Sequence, residues 1–512
     1  MTPPEPVPAQ VIVGLDVGTT GVKASAFAPG SSWRCTIVHE YPLLQPAPGR
    51  HVQDPDAILG AARKALGECV AAASGAEVIG VSVSAGMHGL LALDADGRPL
   101  TPLVTWADAR ARGEARALRD EGRAGELHAR TGVPVHSMAP LAKLRWFAHN
   151  EPAVWQGARW WIGLKELLLR WLTGEVVTEL SSASGTGLLD MASRSWSSEA
   201  VALAGVDPDR LPPIVATTAT FPMAAGAAGE IGLPAGTPVV AGAADGPLGN
   251  LGTGAMQPGV AGLSLGTSGA VRTVVDRPQV DADGGLFCYA LTDDLWVVGG
   301  AISNGGSVVR WAAESLAPDI ARAAAGSDLD AAVLALADAV PPGSDGLVML
   351  PYLLPERAPL WDPDVPGAYL GLRGGHTRGH LVRAAVEGVC VQLRVVLDGL
   401  ARVAPVTTVR ATGGVFRNAI WRDVVAAVIG RPVHVGDSAG GTALGAAALG
   451  LLALDRATSL ADATAQLGVS PEPTGPPVAV DPAAAAAYDE LRRSVGGILD
   501  ALDRAARLID SE

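Results

Sequence analysis

Lysine is nearly missing from this 512-residue chain: of 38 basic residues, only Lys23, Lys64, Lys143 and Lys165 are lysines. Ammonium and guanidinium are not interchangeable, so a retained lysine marks either a site that needs an ammonium or chance survival. Cysteine is as scarce. Cys35, Cys69, Cys288 and Cys390 lie far apart and no CxxC occurs, which excludes a zinc framework and a disulfide scaffold. Positive charge is in deficit, with a net charge of −14. The basic footprint of a nucleic-acid or anionic-membrane binder is therefore lacking, and neither partner is expected. The longest uncharged small-residue run, Ala439 to Leu454, is shorter than the ~20 residues that span a bilayer. Residues 1–10 lack the basic start and apolar stretch of a signal peptide. No Gly-Lys dipeptide exists, which excludes a Walker A loop. No GxGxxG follows a strand, which excludes the dinucleotide fingerprint. A cytoplasmic protein is the expectation.

What is present is apolar and alternating. Hydrophobic residues make up 48% and charged residues 18%, so the chain folds, and its length fits two or three domains. Val11 to Phe27 reads as a hairpin around a Gly/Thr turn. Its segment Gly14 to Lys23, GLDVGTTGVK, is echoed 248 residues later by Gly262 to Val271, GLSLGTSGAV, with five of ten positions identical. A period of half the chain is no solenoid. It predicts two domains of like fold, each turning a similar loop toward a shared cleft. Further strands are expected at Val78–Ser84, Pro234–Ala244, Leu286–Leu291, Trp296–Gly299 and Thr407–Ala411. Helices are expected at Pro140–His149, Leu164–Leu172, Leu381–Arg402 and Ala419–Ile429. Pro471 to Pro477 reads as a linker, and Asp481-Pro482 as the cap of a last, alanine-rich helix. The class is α/β.

Several short stretches carry chemistry. In the first turn Asp16 sits beside Gly18, Thr19, Thr20 and Lys23. Glycines let backbone N–H groups approach a phosphate, hydroxyls add donors, and a carboxylate can hold Mg²⁺. Lys23 is either a phosphate cation or a solvated side chain. In the echo, Gly266, Thr267 and Ser268 repeat the loop, while Ser264 replaces the aspartate. Asp245, at the end of an apolar strand, can take a proton from an attacking hydroxyl or merely cap a turn. Met87 and His88 follow another strand. Trp106, Asp108 and Arg110 combine an apolar face, an acceptor and a donor fork, which suits a polyhydroxylated ligand or a capped helix start. Gly413, Gly414 and Asn418 form a strand–helix turn on which a base or ribose can lie. Trp160 and Trp161 read as core.

In order and spacing the motifs GLDVGTTGVKA, SAGMHG, TWADAR, GAADG, LSLGTSGA, PYLLPERAPLWDP and ATGGVFRNAIWRDVVA resemble the FGGY family of carbohydrate kinases, from about Val11 to Leu454. The resemblance implies two actin-like ribonuclease-H-fold domains flanking a central cleft, and ATP with Mg²⁺ as phosphoryl donor. It implies Asp245 as the catalytic base and Asp16, with Asp245, at the metal. Gly18, Thr19, Thr20, Lys23, Gly266, Thr267 and Ser268 would hold phosphates. Gly413, Gly414 and Asn418 would hold adenosine. Met87, His88, Trp106, Asp108 and Arg110 would line the sugar pocket. The domains expected are 1–246, 247–470 and a tail over 471–512. Within the family, SAGMHGLLALDADGRPLTPLVTWADAR, IGLKELLLRWLTG and ERAPLWDP resemble the gluconate kinases, above all in the string from Arg357 to Trp361. Xylulose kinases share the Met-His pair and a Lys-acidic pair like Lys165-Glu166. Leu354-Pro355 and Glu179 depart from the pattern. The expected reaction is phosphorylation of D-gluconate to 6-phospho-D-gluconate. The alternatives are xylulose or another polyol, and a non-catalytic nucleotide and sugar sensor. A buried substrate carboxylate needs a cation or several donors, and His88, Arg110, Lys165 and Arg357 are the candidates. The oligomeric state is not legible, and a homodimer is compatible with the sequence.

Overall fold

The computed structural model describes residues 8–323, 329–436, 441–470, 472–473 and 475–509. Its first half is built on β1 (Gln10–Val17), β2 (Gly21–Phe27), β3 (Arg34–Glu40), β4 (Glu77–Ala85) and β5 (Pro238–Ala244). β1 to β3 form an antiparallel meander, and β4 and then β5 add in parallel beside β1. The strand QVIVGLDV is apolar on both faces and buried along nearly its whole length, as suits the centre of a covered sheet. α1 (Pro55–Ala72) covers one face with Ile58, Ala62, Leu66 and Cys69, and Asp54 caps its first turn. Between β4 and β5 the chain inserts a lobe carrying α2 (Pro140–Asn150) and α3 (Leu164–Thr173). Trp161 is buried in that lobe's core.

After α4 (Asp245–Gly252) the second half repeats the plan. β6 (Val260–Leu265), β7 (Gly269–Val275) and β8 (Trp296–Ile302) make the meander, and β9 (Thr408–Thr412) and β10 (Val433–Val435) add in parallel. Five strands of each sheet share one order, and a sixth is added at opposite edges, Thr220–Pro222 beside β5 and Phe287–Ala290 beside β8; the ten-residue echo thus marks a repeated five-strand unit. Behind the second sheet lie α5 (Arg378–Val403) and α6 (Ala419–Ile429), both closely as expected. Two strands are read too long from the sequence: Leu286–Leu291 by one residue at each end, since the strand is Phe287–Ala290, and Pro234–Ala244 by four at its start. Its first four residues form a turn, closed by Thr237 donating to the Pro234 carbonyl at 2.8 Å.

The halves are joined by crossed helices. α7 (Gly441–Ala453) follows the second sheet yet packs on the first, where a Cβ on Gly14 would collide with the Ala443 carbonyl. It also crosses α4, where a Cβ on Gly445 would collide with the Leu248 carbonyl. The small-residue run of the sequence is thus a packing seam between domains; its first residues, Ala439 and Gly440, lie outside the described residues, as do Pro471 and Thr474 of the linker. The last helix, α8 (Pro482–Ile509), docks on α5. The Tyr488 hydroxyl donates to Glu387 at 2.7 Å, and Arg492 reaches Asp398 at 2.9 Å.

Candidate active site

Both glycine turns open onto one cavity of about 270 Å³ between the halves. Thr19 enters its wall from the first loop, and Gly266 and Ser268 enter from the second. The first loop is pinned from three sides. Tyr41 donates to the Gly18 carbonyl, Gln53 donates to the Thr19 carbonyl, and the Trp106 indole donates to the Thr19 hydroxyl at 2.9 Å. Thr20 is exposed. The second loop is held by the backbone of Gly305 and Gly306, which donate to the Thr267 and Gly266 carbonyls at 3.0 and 2.7 Å. Gly413, with φ of 135°, lies so close to the Leu265 carbonyl that no Cβ fits there. The turn that follows it therefore borders the second loop. Asn418 uses its side-chain oxygen to cap α6, accepting from Ile420 at 3.1 Å.

Two recessed carboxylates lie near one another here, and of the two Asp245 lines the cavity. Asp16, at the end of β1, accepts from Ser84 at 2.9 Å and from Thr442 of the other half. Burial raises its carboxyl above the usual range. Lys23 stands opposite it in the β1–β2 ladder. Asp245 is the first residue of α4, where the helix N-terminus favours its charge. Burial and the neighbouring charge of Asp16 nevertheless push it up to about 6, with Arg272 pulling the other way.

At the sugar end, His88 has φ of 64°, and its ring Nδ1 lies 2.8 Å from the Gly185 carbonyl. A carbonyl only accepts, so Nδ1 carries the proton and Nε2 faces Tyr289 across 3.5 Å as an acceptor. Burial lowers His88 to about 3, so the ring is neutral. Met87, Trp106 and Trp361 complete this end. Arg357 stacks over Trp106 at 4.7 Å, and its Nε and Nη2 are fixed on Ser303 and the Ile302 carbonyl at 3.1 and 2.8 Å.

Three of the substrate candidates do not reach the cavity. Lys165 spends its protons on the carbonyls of Val83, Ala241 and Ala243 beneath the sheet, with Glu179 at 3.7 Å. It is a staple between β4 and β5 and holds no free donor for a ligand. Asp108 and Arg110 satisfy each other in a bidentate pair at 2.8 and 2.9 Å, and the guanidinium also lies over Trp146. Asp108 takes the His51 amide as well. Neither departure in sequence lines the cavity. Glu179 accepts from the Ser181 and Ser182 amides, capping the short helix that follows, and lies 3.7 Å from Lys165. Leu354 points to solvent while its backbone is gripped by Asn304 at 2.8 and 2.9 Å.

Tyr289, which faces His88, escaped sequence reasoning, and so did two cations. Arg272 lines the cavity beside Asp245; its signal was a lone charge in the apolar strand GAVRTVV. Lys143, on α2, is fully buried and donates to the carbonyls of His88 and Thr105 at 2.5 and 2.8 Å. It ties the His88 turn to the strand that leads to Trp106, and its only sequence signal was the rarity of lysine.

The N-terminal domain model of the FGGY family of carbohydrate kinases matches residues 11–252, and the C-terminal domain model matches residues 261–454. The chain belongs to that family. It is an ATP-dependent carbohydrate kinase with the family's two-domain, actin-like fold. A gluconokinase of Bacillus subtilis is 38% identical over 453 residues, 88% of each chain. A xylulose kinase of the same organism is 28% identical over 446 residues, 86% of this chain and 87% of that one. The crystal structure of a gluconate kinase from Lactobacillus acidophilus superposes with a TM-score of 0.88 at 30% identity, covering 96% of this chain and 98% of that one. As an FGGY kinase, the protein has a phosphoryl acceptor that is a small carbohydrate. Among the described residues no helix is long and apolar enough to cross a membrane.

Proposed function

We propose that this kinase transfers the γ-phosphoryl group of ATP to the terminal hydroxyl of D-gluconate, giving 6-phospho-D-gluconate. The observation that carries the reading is Arg357. It is recessed at the sugar end with two of its nitrogens fixed by protein, and Nη1 has no protein partner among the described residues. A guanidinium so held is preorganised for a carboxylate. Of the four cations singled out in the sequence, Lys165, Arg110 and neutral His88 are spoken for, which leaves Arg357 for the charge on an aldonate. The similarity to gluconokinases supports the same substrate.

In this reading Asp245 takes the proton of the attacking hydroxyl, and the loops at Gly18–Thr20 and Gly266–Ser268 cradle the phosphates. Gly413, Gly414 and Asn418 support the adenosine. Asp16 and Asp245 fit a magnesium ion. Two carboxylates with phosphate oxygens and water suffice for its octahedron, and no cluster of three or more protein ligands exists among the described residues. When bound, magnesium neutralises charge on the phosphate oxygens. Thr442 and Ser84 hold the Asp16 carboxylate toward that role. The division near residues 246 and 470, a cytoplasmic setting and a homodimer belong to the same reading; all four cysteines are free.

ADP release with D-gluconate, D-xylulose, glycerol and no acceptor tests it. A kcat/KM for gluconate well above the others is expected. A preference for xylulose would overturn the substrate while leaving the kinase in place.

A further inference from the structure

Arg272 is the cavity's unassigned cation. It rises from the middle of β7, where it is the strand's single charged residue. Its one protein bond is long, from Nη1 to the Ser264 hydroxyl at 3.3 Å. Its Nε is shielded from solvent with no partner. Among the described residues no carboxylate stands within 4 Å to form an ion pair with it. Asp245 offsets its charge from beyond ion-pair distance, and a recessed guanidinium with unused donors is costly, so an anion is expected to complete it.

Its position says which anion. The cavity has two ends. Trp106, Tyr289, Trp361 and Arg357 make the sugar end. Arg272 stands between that end and the other, feeling the charge of Tyr289 and Arg357 but bonded to Ser264 and bordering Gly246 and Asp245 beside the second phosphate loop. Ser264 stands where the first repeat has Asp16. The second half has thus given up a carboxylate there and presents a guanidinium at the place where the hydroxyl and the γ-phosphate must meet. A phosphoryl group in transfer spreads negative charge over three equatorial oxygens, and a planar donor fork fits two of them.

We propose that Arg272 is a catalytic residue that binds the phosphoryl group during transfer, leaving Arg357 to hold the far end of the acceptor. This rests on reading the cavity as the transfer site. The acceptor oxygen forms a bond to the γ-phosphorus as the bond to the β-phosphate oxygen breaks. The bonding pair leaves with ADP, and the hydroxyl proton passes to the Asp245 carboxylate. Arg272 exchanges no proton.

The test compares the whole protein with Arg272→Lys and Arg272→Met, on D-gluconate, on neutral D-glucitol and in the slow hydrolysis of ATP without acceptor. If the parent takes another sugar in place of gluconate, the substrate reading fails and the comparison runs unchanged on that sugar. Removing a donor aimed at transition-state charge costs on the order of 10² to 10³ in rate. That loss in kcat is expected for Arg272→Met with every acceptor and in acceptor-free hydrolysis. KM for the sugar and affinity for a non-hydrolysable ATP analogue should stay within about threefold. Arg272→Lys should lose less, and added guanidinium should restore part of the activity of Arg272→Ala. The proposal is overturned if kcat survives in both variants, or if the only change is a raised KM for gluconate, which would make Arg272 the carboxylate receptor. Analogue binding shows that each variant is folded. Should the Met variant fail that control, the Lys variant decides between the same two outcomes.

Discussion

Asp245 carries a carboxyl that gives up its proton near pH 6, because burial and Asp16 together outweigh Arg272. A base works as the carboxylate, so kcat/KM should rise with pH through about 6 and fall below it. That profile reports the free enzyme, and a flat profile from pH 5 to 7 would remove Asp245 from the role. Replacing Asp245 with Asn should cut turnover by about a thousandfold or more while leaving ATP-analogue binding intact, since general-base catalysis and charge placement are both lost. His136 makes a separate prediction. It is buried against Trp361, with ring centroids 5.9 Å apart, and its Nε2 has no partner. Burial lowers it to about 3 from 6.5. A depressed folded value means its contribution is whole above pH 6.5 and is lost as pH falls toward 3. The variant His136→Phe should therefore lose less stability than the parent between pH 6.5 and 4, measured by urea unfolding at each pH. Parallel curves would show that His136 does not titrate on unfolding.

Elements set those side chains, and they differ in how visible they were beforehand. The hairpin of β1 and β2 and the helix Ala419–Ile429 were legible because apolar periodicity, a Gly/Thr turn and an Asn cap all agree locally. The fate of the cations was not. Lys165 and Arg110 look in sequence like ligand contacts, and only the approach of β4 to β5, or of Asp108 two residues away, shows that their donors are consumed. Arg357 was among the carboxylate candidates, but its fixing by Ile302 and Ser303, 55 and 54 residues away in the chain, could not be read. The seam of α4 and α7 was equally hidden, since a run of small residues suits many packings. It now makes a prediction. Gly445→Ala pushes a methyl into the Leu248 carbonyl, and backbone cannot swing aside as a side chain does. A loss of about 1–3 kcal/mol is expected from overpacking, read from urea unfolding. A neutral or stabilising result would mean that the two helices have room to part.

At the scale of the whole molecule, the cavity belongs to neither half alone. Met87, His88 and Trp106 come from the first sheet and its inserted lobe; Arg272, Tyr289, Arg357 and Trp361 come from the second half. The halves already touch through Arg357 on Trp106 and Thr442 on Asp16. An acceptor held at both ends must therefore bind the two domains to each other, and its binding energy must appear as stability of the whole chain. A ligand at 100 times its Kd adds about 2.7 kcal/mol to a folded state that alone binds it. Thermal unfolding should thus shift upward by several degrees with D-gluconate, and the shift should grow with concentration. Neutral D-glucitol has the same carbon chain without the charge, so it should shift the transition far less. In Arg357→Gln the two ligands should become equivalent, because the difference between them is the contact of one carboxylate with one guanidinium. Equal shifts in the parent would mean that the cavity does not read the acid group. Retention of the full difference in Arg357→Gln would move the carboxylate to another cation, with Arg272 the first to examine.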